Sequence, residues 1–169
     1  MNLHSKLLER EAAGRPVTVG LIGAGKFGTM FLSQARLTQG MHIVGVADLD
    51  GTRAHSQLKT AGWPAEAYAA TSLADAHKKR ATLVTDSAEA LIADPRIEVV
   101  VEATGVPGAG IAHALRTIAA GKHIVMVNVE ADAVAGPLLA RRASSGPANA
   151  SASTLTMTMC LPLAIAFSA

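Results

Sequence analysis

Gly23, Gly25 and Gly28 stand at the spacing G-x-G-x-x-G inside the stretch VTVGLIGAGKFGTMF, residues 17–31. Glycines this close leave backbone N–H groups bare, and a helix starting among them adds its positive end, so the stretch suits an anionic phosphate. Two cradles can be written this way. Gly20, Gly25 and Lys26 satisfy G-x-x-x-x-G-K, but Phe27 stands where a Ser or Thr hydroxyl must hold magnesium. Gly20 also lies inside an apolar run rather than in a loop. That cradle fails. The other is the dinucleotide fingerprint, which needs a strand immediately before the glycines and a helix immediately after them. VTVGLI precedes and KFGTMFLSQARLT follows, so the context is the required one.

Each glycine then has a job. Gly23 allows the tight turn off the strand, Gly25 removes a Cβ that would block a pyrophosphate, and Gly28 lets helix and strand approach. Lys26 and Phe27 open the helix and join the cofactor-binding set through its bare N–H end, the Lys26 side chain itself being solvated. Asp48 ends the second apolar run 20 positions after Gly28, where a ribose-binding acid belongs. A carboxylate there accepts from both ribose hydroxyls and repels a 2′-phosphate, which favours NAD. Arg53 could turn inward to meet that phosphate, so NADP stays open.

In a doubly wound sheet the ligand lies beyond the carboxyl ends of the strands. The fourth apolar run ends in EATGVPG, which puts Thr104 and Gly105 across the crevice from the fingerprint, facing the cofactor's ribose and nicotinamide. The fifth ends in VNVEAD, so Asn128 and Glu130 are the substrate-side candidates; both equally suit the start of the next helix. The six histidines share no ligand spacing, and no metal site is expected.

The elements that must position these groups alternate. Apolar runs at 17–22, 42–48, 81–85, 97–104 and 122–128 read as strands covered on both faces. Helical patterns fill 2–13, 26–38, 51–60, 72–79, 108–120 and 130–143, and another helix starts where Asp86 and Glu89 show capping-box spacing. Phe27, Met30, Phe31, Ala35 and Leu37 mark the inner side of the helix after the fingerprint. The class is α/β: a Rossmann doubly wound parallel sheet with helices on both faces and right-handed crossovers.

Half of the 169 residues are hydrophobic and only 3% aromatic, which suits helices close-packed on a sheet. The net charge is +2, and HKKR at 77–80 is the one basic run, so no nucleic-acid partner is expected. The single cysteine excludes an intrachain disulfide, and no stretch reads as a signal peptide or a membrane span, which points to a cytoplasmic chain. Residues 1–15 form an N-terminal helix, 16–142 the dinucleotide-binding domain and 143–169 a tail of different character. All 15 basic and 13 acidic residues lie at or before Arg142. TLTMTMC, residues 154–160, alternates like a sixth strand, whose open edge would suit a second copy of the chain. Either the tail is an apolar edge element, or the reading frame departs from the parent gene near residue 143.

Together, VGLIGAGKFGTMF, IVGVADLD, VVVEATGVPGAG and GKHIVMVNVEADAVAGPLLARRA resemble the NAD(P)-binding domain of homoserine dehydrogenase-like oxidoreductases, over residues 15–142. The branch with a SAF domain, which includes a reductoisomerase-like enzyme acting on 1-deoxy-xylulose 5-phosphate, is most similar. The resemblance implies two-electron chemistry on a small-molecule substrate with NAD or NADP, contacted by Gly23, Gly25, Gly28, Asp48, Thr104 and Gly105. It also implies a substrate domain after the cofactor domain, which this chain ends too early to hold. Val129 stands where related enzymes have the lysine of Asn-Lys-Glu, so no role rests on that lysine. A non-catalytic NAD(P)-sensing or interaction domain is the alternative.

Overall fold

The computed structural model describes residues 2–145 and the pair Leu155–Thr156. Strands β1 (Val17–Ile22), β2 (Met41–Ala47), β3 (Leu83–Thr85), β4 (Val99–Glu102), β5 (His123–Met126) and β6 (Leu155–Thr156) form one sheet in the order β3-β2-β1-β4-β5-β6. Every pairing is parallel. The chain therefore reverses direction across the sheet between β1 and β4, and a crevice opens beyond their carboxyl ends. Helices α1 (Leu3–Ala12), α2 (Lys26–Ala35), α3 (Gly51–Thr60), α4 (Leu73–Lys79), α5 (Ala88–Ala93), α6 (Pro107–Ala119) and α7 (Val129–Ser144) alternate with the strands, and a 3₁₀ turn spans Ala65–Tyr68.

Alternation along β1 divides the core. Val19 and Leu21 point to one face, where Leu32 and Ala35 of α2 and Ala54 and Leu58 of α3 cover them. Ile22 points to the other, against Leu91 and Ile92 of α5 and Ala76 of α4. A third cluster joins Ile124 and Met126 of β5 to Ala114, Ile118, Ala131 and Leu139 of α6 and α7. Small residues let α5 lie close on the sheet: a Cβ on Gly20 would sit 3.3 Å from the Leu91 Cβ, and one on Gly45 would run into the Leu91 side chain.

Several expected boundaries shift. The inner side of α2 is Gly28, Leu32 and Ala35 rather than a stripe including Met30 and Leu37, which are 55% and 65% exposed. The helix ends at Ala35, before Leu37. Helix α5 is capped not by Asp86 but by Ser87, whose hydroxyl accepts from the Ala90 N–H at 3.1 Å. The strand expected over 97–104 keeps only Val99–Glu102. Of the strand expected over 154–160, Leu155 and Thr156 pair with Val125 and Met126 of β5. Its remaining residues lie outside the described residues. No helix among the described residues is long and apolar enough to cross a membrane.

Candidate functional site

The turn after β1 has the shape its glycines imply. Gly23 has φ +99°, in the left-handed region that favours glycine. A Cβ there would lie 2.6 Å from the Ala103 carbonyl and 2.8 Å from the Thr104 nitrogen, so the turn presses directly on the loop after β4. A Cβ on Gly28 would strike the Gly23 carbonyl oxygen, which is the close helix–strand approach. Beside Gly25 a Cβ would meet nothing within 4 Å. The surface above that residue is open.

Helix capping separates this region from the rest. Side-chain oxygens of Asn2, Asp50, Ser72, Ser87 and Asn128 cap α1, α3, α4, α5 and α7. Helix α2 is capped by Gly25 and α6 by Val106, and neither supplies a side-chain hydrogen bond. These two helices follow β1 and β4 and so flank the reversal in strand order. At α2 the N–H groups of Lys26, Phe27 and Gly28 are left to an external acceptor, in the field of the helix's positive end. Lys26 is exposed, and Phe27 packs its ring on the core beneath.

Asp48, the first residue past β2, faces the same turn. Its Oδ2 accepts from the Ala24 N–H at 2.8 Å, and its Oδ1 accepts from the Asp50 N–H at 2.9 Å and from Arg53 Nη2 at 2.7 Å. The side chain is 2% exposed while Arg53 is 52% exposed, so the guanidinium lies over the carboxylate on the solvent side. Burial opposes the charge on Asp48, yet the N–H groups of Asp50 and Ala24 and the Arg53 guanidinium outweigh it and hold the carboxyl below the usual range. The sequence anticipated this acid as a sugar ligand; it also ties the fingerprint turn to β2 and already carries the arginine.

Across the crevice, Thr104 is half-buried and Gly105 is exposed with φ +69°. Thr104 is held by Glu102, the last residue of β4, which is fully buried: its Oε1 accepts from the Thr104 N–H at 3.2 Å and from the Thr104 hydroxyl. Asn128 is buried and spends its Oδ1 capping α7 at the Ala131 N–H, 3.1 Å away. Glu130 is exposed in the first turn of α7. Asn128 therefore comes to the inner end of the crevice through its amide nitrogen, and Glu130 stands apart from it on the helix surface.

Sequence reasoning missed Glu102 and its neighbour His113, whose Nδ1 lies 3.6 Å from Glu102 Oε1. A signal existed, because Glu102 closes an otherwise apolar run just as Asp48 follows one. It missed Lys122 as well, a buried lysine whose ammonium donates to the carbonyls of Asp94 and Ile97 and whose pKa burial depresses. Among the described residues, no three of His, Cys, Asp or Glu come together as a metal would require. A cleft of about 350 Å³ lies at the other end of the strands, lined by Arg10, Arg15, His42, His77, Arg80 and Arg96. Three of those arginines are engaged by Glu98, Glu11 and Asp94, and the cleft is remote from the fingerprint.

Strand order 3-2-1-4-5-6, glycine turn and terminal acid define the class: a Rossmann-type dinucleotide-binding domain. Residues 19–147 match the NAD-binding domain of homoserine dehydrogenase, and the chain belongs to that family. Among solved structures it is similar to a homoserine dehydrogenase from Thiobacillus denitrificans, at 24% identity over 78% of this chain and 28% of that one, with TM-score 0.60. It is also similar to myo-inositol dehydrogenase from Lactobacillus casei, solved with NAD(H) and myo-inositol, at 20% identity over 75% and 33% of the two chains, with TM-score 0.54. Biliverdin reductase from Synechocystis sp. PCC 6803, solved with biliverdin and NADP+, gives 22% identity over 76% and 35%, with TM-score 0.55. The chain thus spans about a third of the length of these structures. No curated protein matches it.

Proposed function

We propose that this chain is the cofactor-holding part of an NAD(P)-dependent oxidoreductase. The observation that carries the reading is the uncapped start of α2 beneath an open Gly25, set beside a buried acid on the adjoining strand. Gly23, Gly25, Lys26, Phe27 and Gly28 hold the pyrophosphate through backbone N–H groups, and Asp48 meets the adenosine ribose. Thr104 and Gly105 wall the nicotinamide side; of the two substrate-side candidates, Asn128 lies buried at the inner end of the crevice and Glu130 is exposed on the surface of α7. When bound, the nicotinamide supplies or accepts a hydride. The protein's share is to orient the ring and exclude water from one face of it.

A small-molecule substrate would be held by residues outside the cofactor unit. NAD is favoured over NADP, because Asp48 would face a 2′-phosphate, and Arg53 is the residue that softens the preference. Residues 16–142 act as the cofactor unit, in the cytoplasm, with self-association through the sheet edge as a further property of the whole protein. Titrating the chain with NADH while following nicotinamide fluorescence tests the reading. A saturable change is expected below millimolar cofactor; none at that concentration overturns the assignment.

A further inference from the structure

Glu102 is fully buried, yet half of its hydrogen-bonding capacity meets nothing. Oε1 takes two bonds from Thr104, while Oε2 has no partner among the described residues. Two neighbouring polar atoms are equally unpaired: Asn128 Nδ2 and His113 Nδ1 are buried without partners among the described residues, and His113 Nδ1 stands 3.6 Å from Glu102 Oε1. The Asn128 amide is fixed in orientation, since its oxygen caps α7. Its nitrogen and Glu102 Oε2 each come within 3.0 Å of the point a Cβ on Gly110 would occupy. Glycine on α6 thus leaves room beside both the carboxylate and the amide, while the imidazole faces the carboxylate's other oxygen.

An uncharged side chain of similar size would sit here at less cost to the fold, because a buried carboxylate lacking full pairing is destabilising. What an uncharged apolar residue could not do is grip the loop. The Thr104 hydroxyl, bonded to Glu102, in turn accepts from the Val106 N–H at 3.3 Å, and the Thr104 nitrogen lies 2.8 Å from the Cβ position of Gly23. The contacts run without a gap from Glu102 through Thr104 to the fingerprint turn.

We propose that Glu102 is a positioning residue, acting through Thr104, that holds the loop after β4 in the shape the nicotinamide half of the cofactor requires, with His113 as the group facing its carboxylate. The proposal rests on the dinucleotide reading above and adds to it which half of the ligand feels this cluster. The acidic and basic groups outside it, Glu89 of α5 and Arg116 of α6, pair with each other at the surface and leave Glu102 to His113.

The test compares NADH with ADP-ribose, which keeps the adenosine and the pyrophosphate but lacks the nicotinamide. In the 169-residue chain, E102M is expected to weaken NADH about tenfold, the worth of one good hydrogen bond, with ADP-ribose within about twofold of the parent. E102Q keeps an acceptor toward Thr104 and is expected to recover most of the NADH affinity. T104V breaks the same grip from the other end and carries the test if E102M does not fold. NADH binding unchanged in E102M or T104V overturns the proposal, and so does equal weakening of both ligands, which marks a fold-wide effect. A parent chain that binds neither ligand overturns the dinucleotide reading itself, and the proposal with it.

Discussion

The two walls of the crevice treat polar groups in opposite ways. On the β1–α2–β2 side, both carboxylate oxygens of Asp48 have donors, and the backbone of the glycine turn is held at Ala24 and by Gly23 N–H to the Ala47 carbonyl. On the β4–α6–β5 side, Glu102, His113 and Asn128 each keep one buried polar atom that has no partner among the described residues. The first wall is rigid by construction, because its turn is pinned at several points. The second keeps polar capacity at a depth where unmet capacity is costly. A cofactor that lies across both would therefore meet a turn pinned by backbone bonds on one side and a loop held through Glu102 on the other.

The sharpest way to break that contrast is at Gly23. G23A combines a left-handed backbone with a Cβ 2.6 Å from the Ala103 carbonyl, and should cost about 3 kcal/mol of stability in denaturant unfolding. G25A, with nothing within 4 Å of its new methyl, should leave stability within about 0.5 kcal/mol while weakening NADH at least about tenfold. If both variants lose stability alike, the open cradle is not open.

Asp48 gives a pH test of the pinned wall. Its folded carboxyl is more acidic than the ordinary value of 3.8, so its stabilisation is present above that pH and is lost as pH falls through the lower folded value. D48N should be less stable at pH 7 by about 1–2 kcal/mol, and the gap to the parent should narrow on acidification below pH 4. A gap that stays constant to pH 2 would show that the charge of Asp48 is not what ties the turn.

The smallest expected effect concerns Arg53. Half-exposed over Asp48, it would stand between the carboxylate and a 2′-phosphate. R53A should weaken NADPH about threefold to tenfold and NADH less, on the scale of one exposed charge contact. Equal losses for the two cofactors would mean that Arg53 only braces Asp48.

The first wall was readable because its information is local. Glycine spacing, a strand before, a helix after and an acid at a fixed offset all lie within residues 17–48, and each has one physical reason. The alternation of apolar runs with helical ones likewise gave the strand–helix order, since each strand is covered on both faces. The second wall was not readable in the same way. Glu102, Gly110, His113 and Asn128 come from β4, α6 and the N-cap of α7, two residues past β5, and only the parallel pairing of β4 with β5 brings them together. Local signals also misled where two caps competed: Asp86 fits a capping box, but Ser87 is the residue whose hydroxyl reaches the helix. Met30 and Leu37 entered the apolar stripe of α2 on hydropathy alone, although the packing surface follows Gly28, Leu32 and Ala35.

Helix α5 rests on the sheet where β1 and β2 each lack a β-carbon, at Gly20 and Gly45, with Leu91 filling both gaps. The strand leading into that helix, β3, ends in Thr85, whose carbonyl accepts from the Asp48 N–H at 2.9 Å and whose hydroxyl accepts from the Ser87 N–H at 3.2 Å. A methyl at residue 45 would force Leu91 into another rotamer or lift the helix, and Thr85 would carry the displacement to Asp48. Two absent methyls on the buried face thus set the spacing on which the Asp48 carboxylate, just past the end of β2, depends.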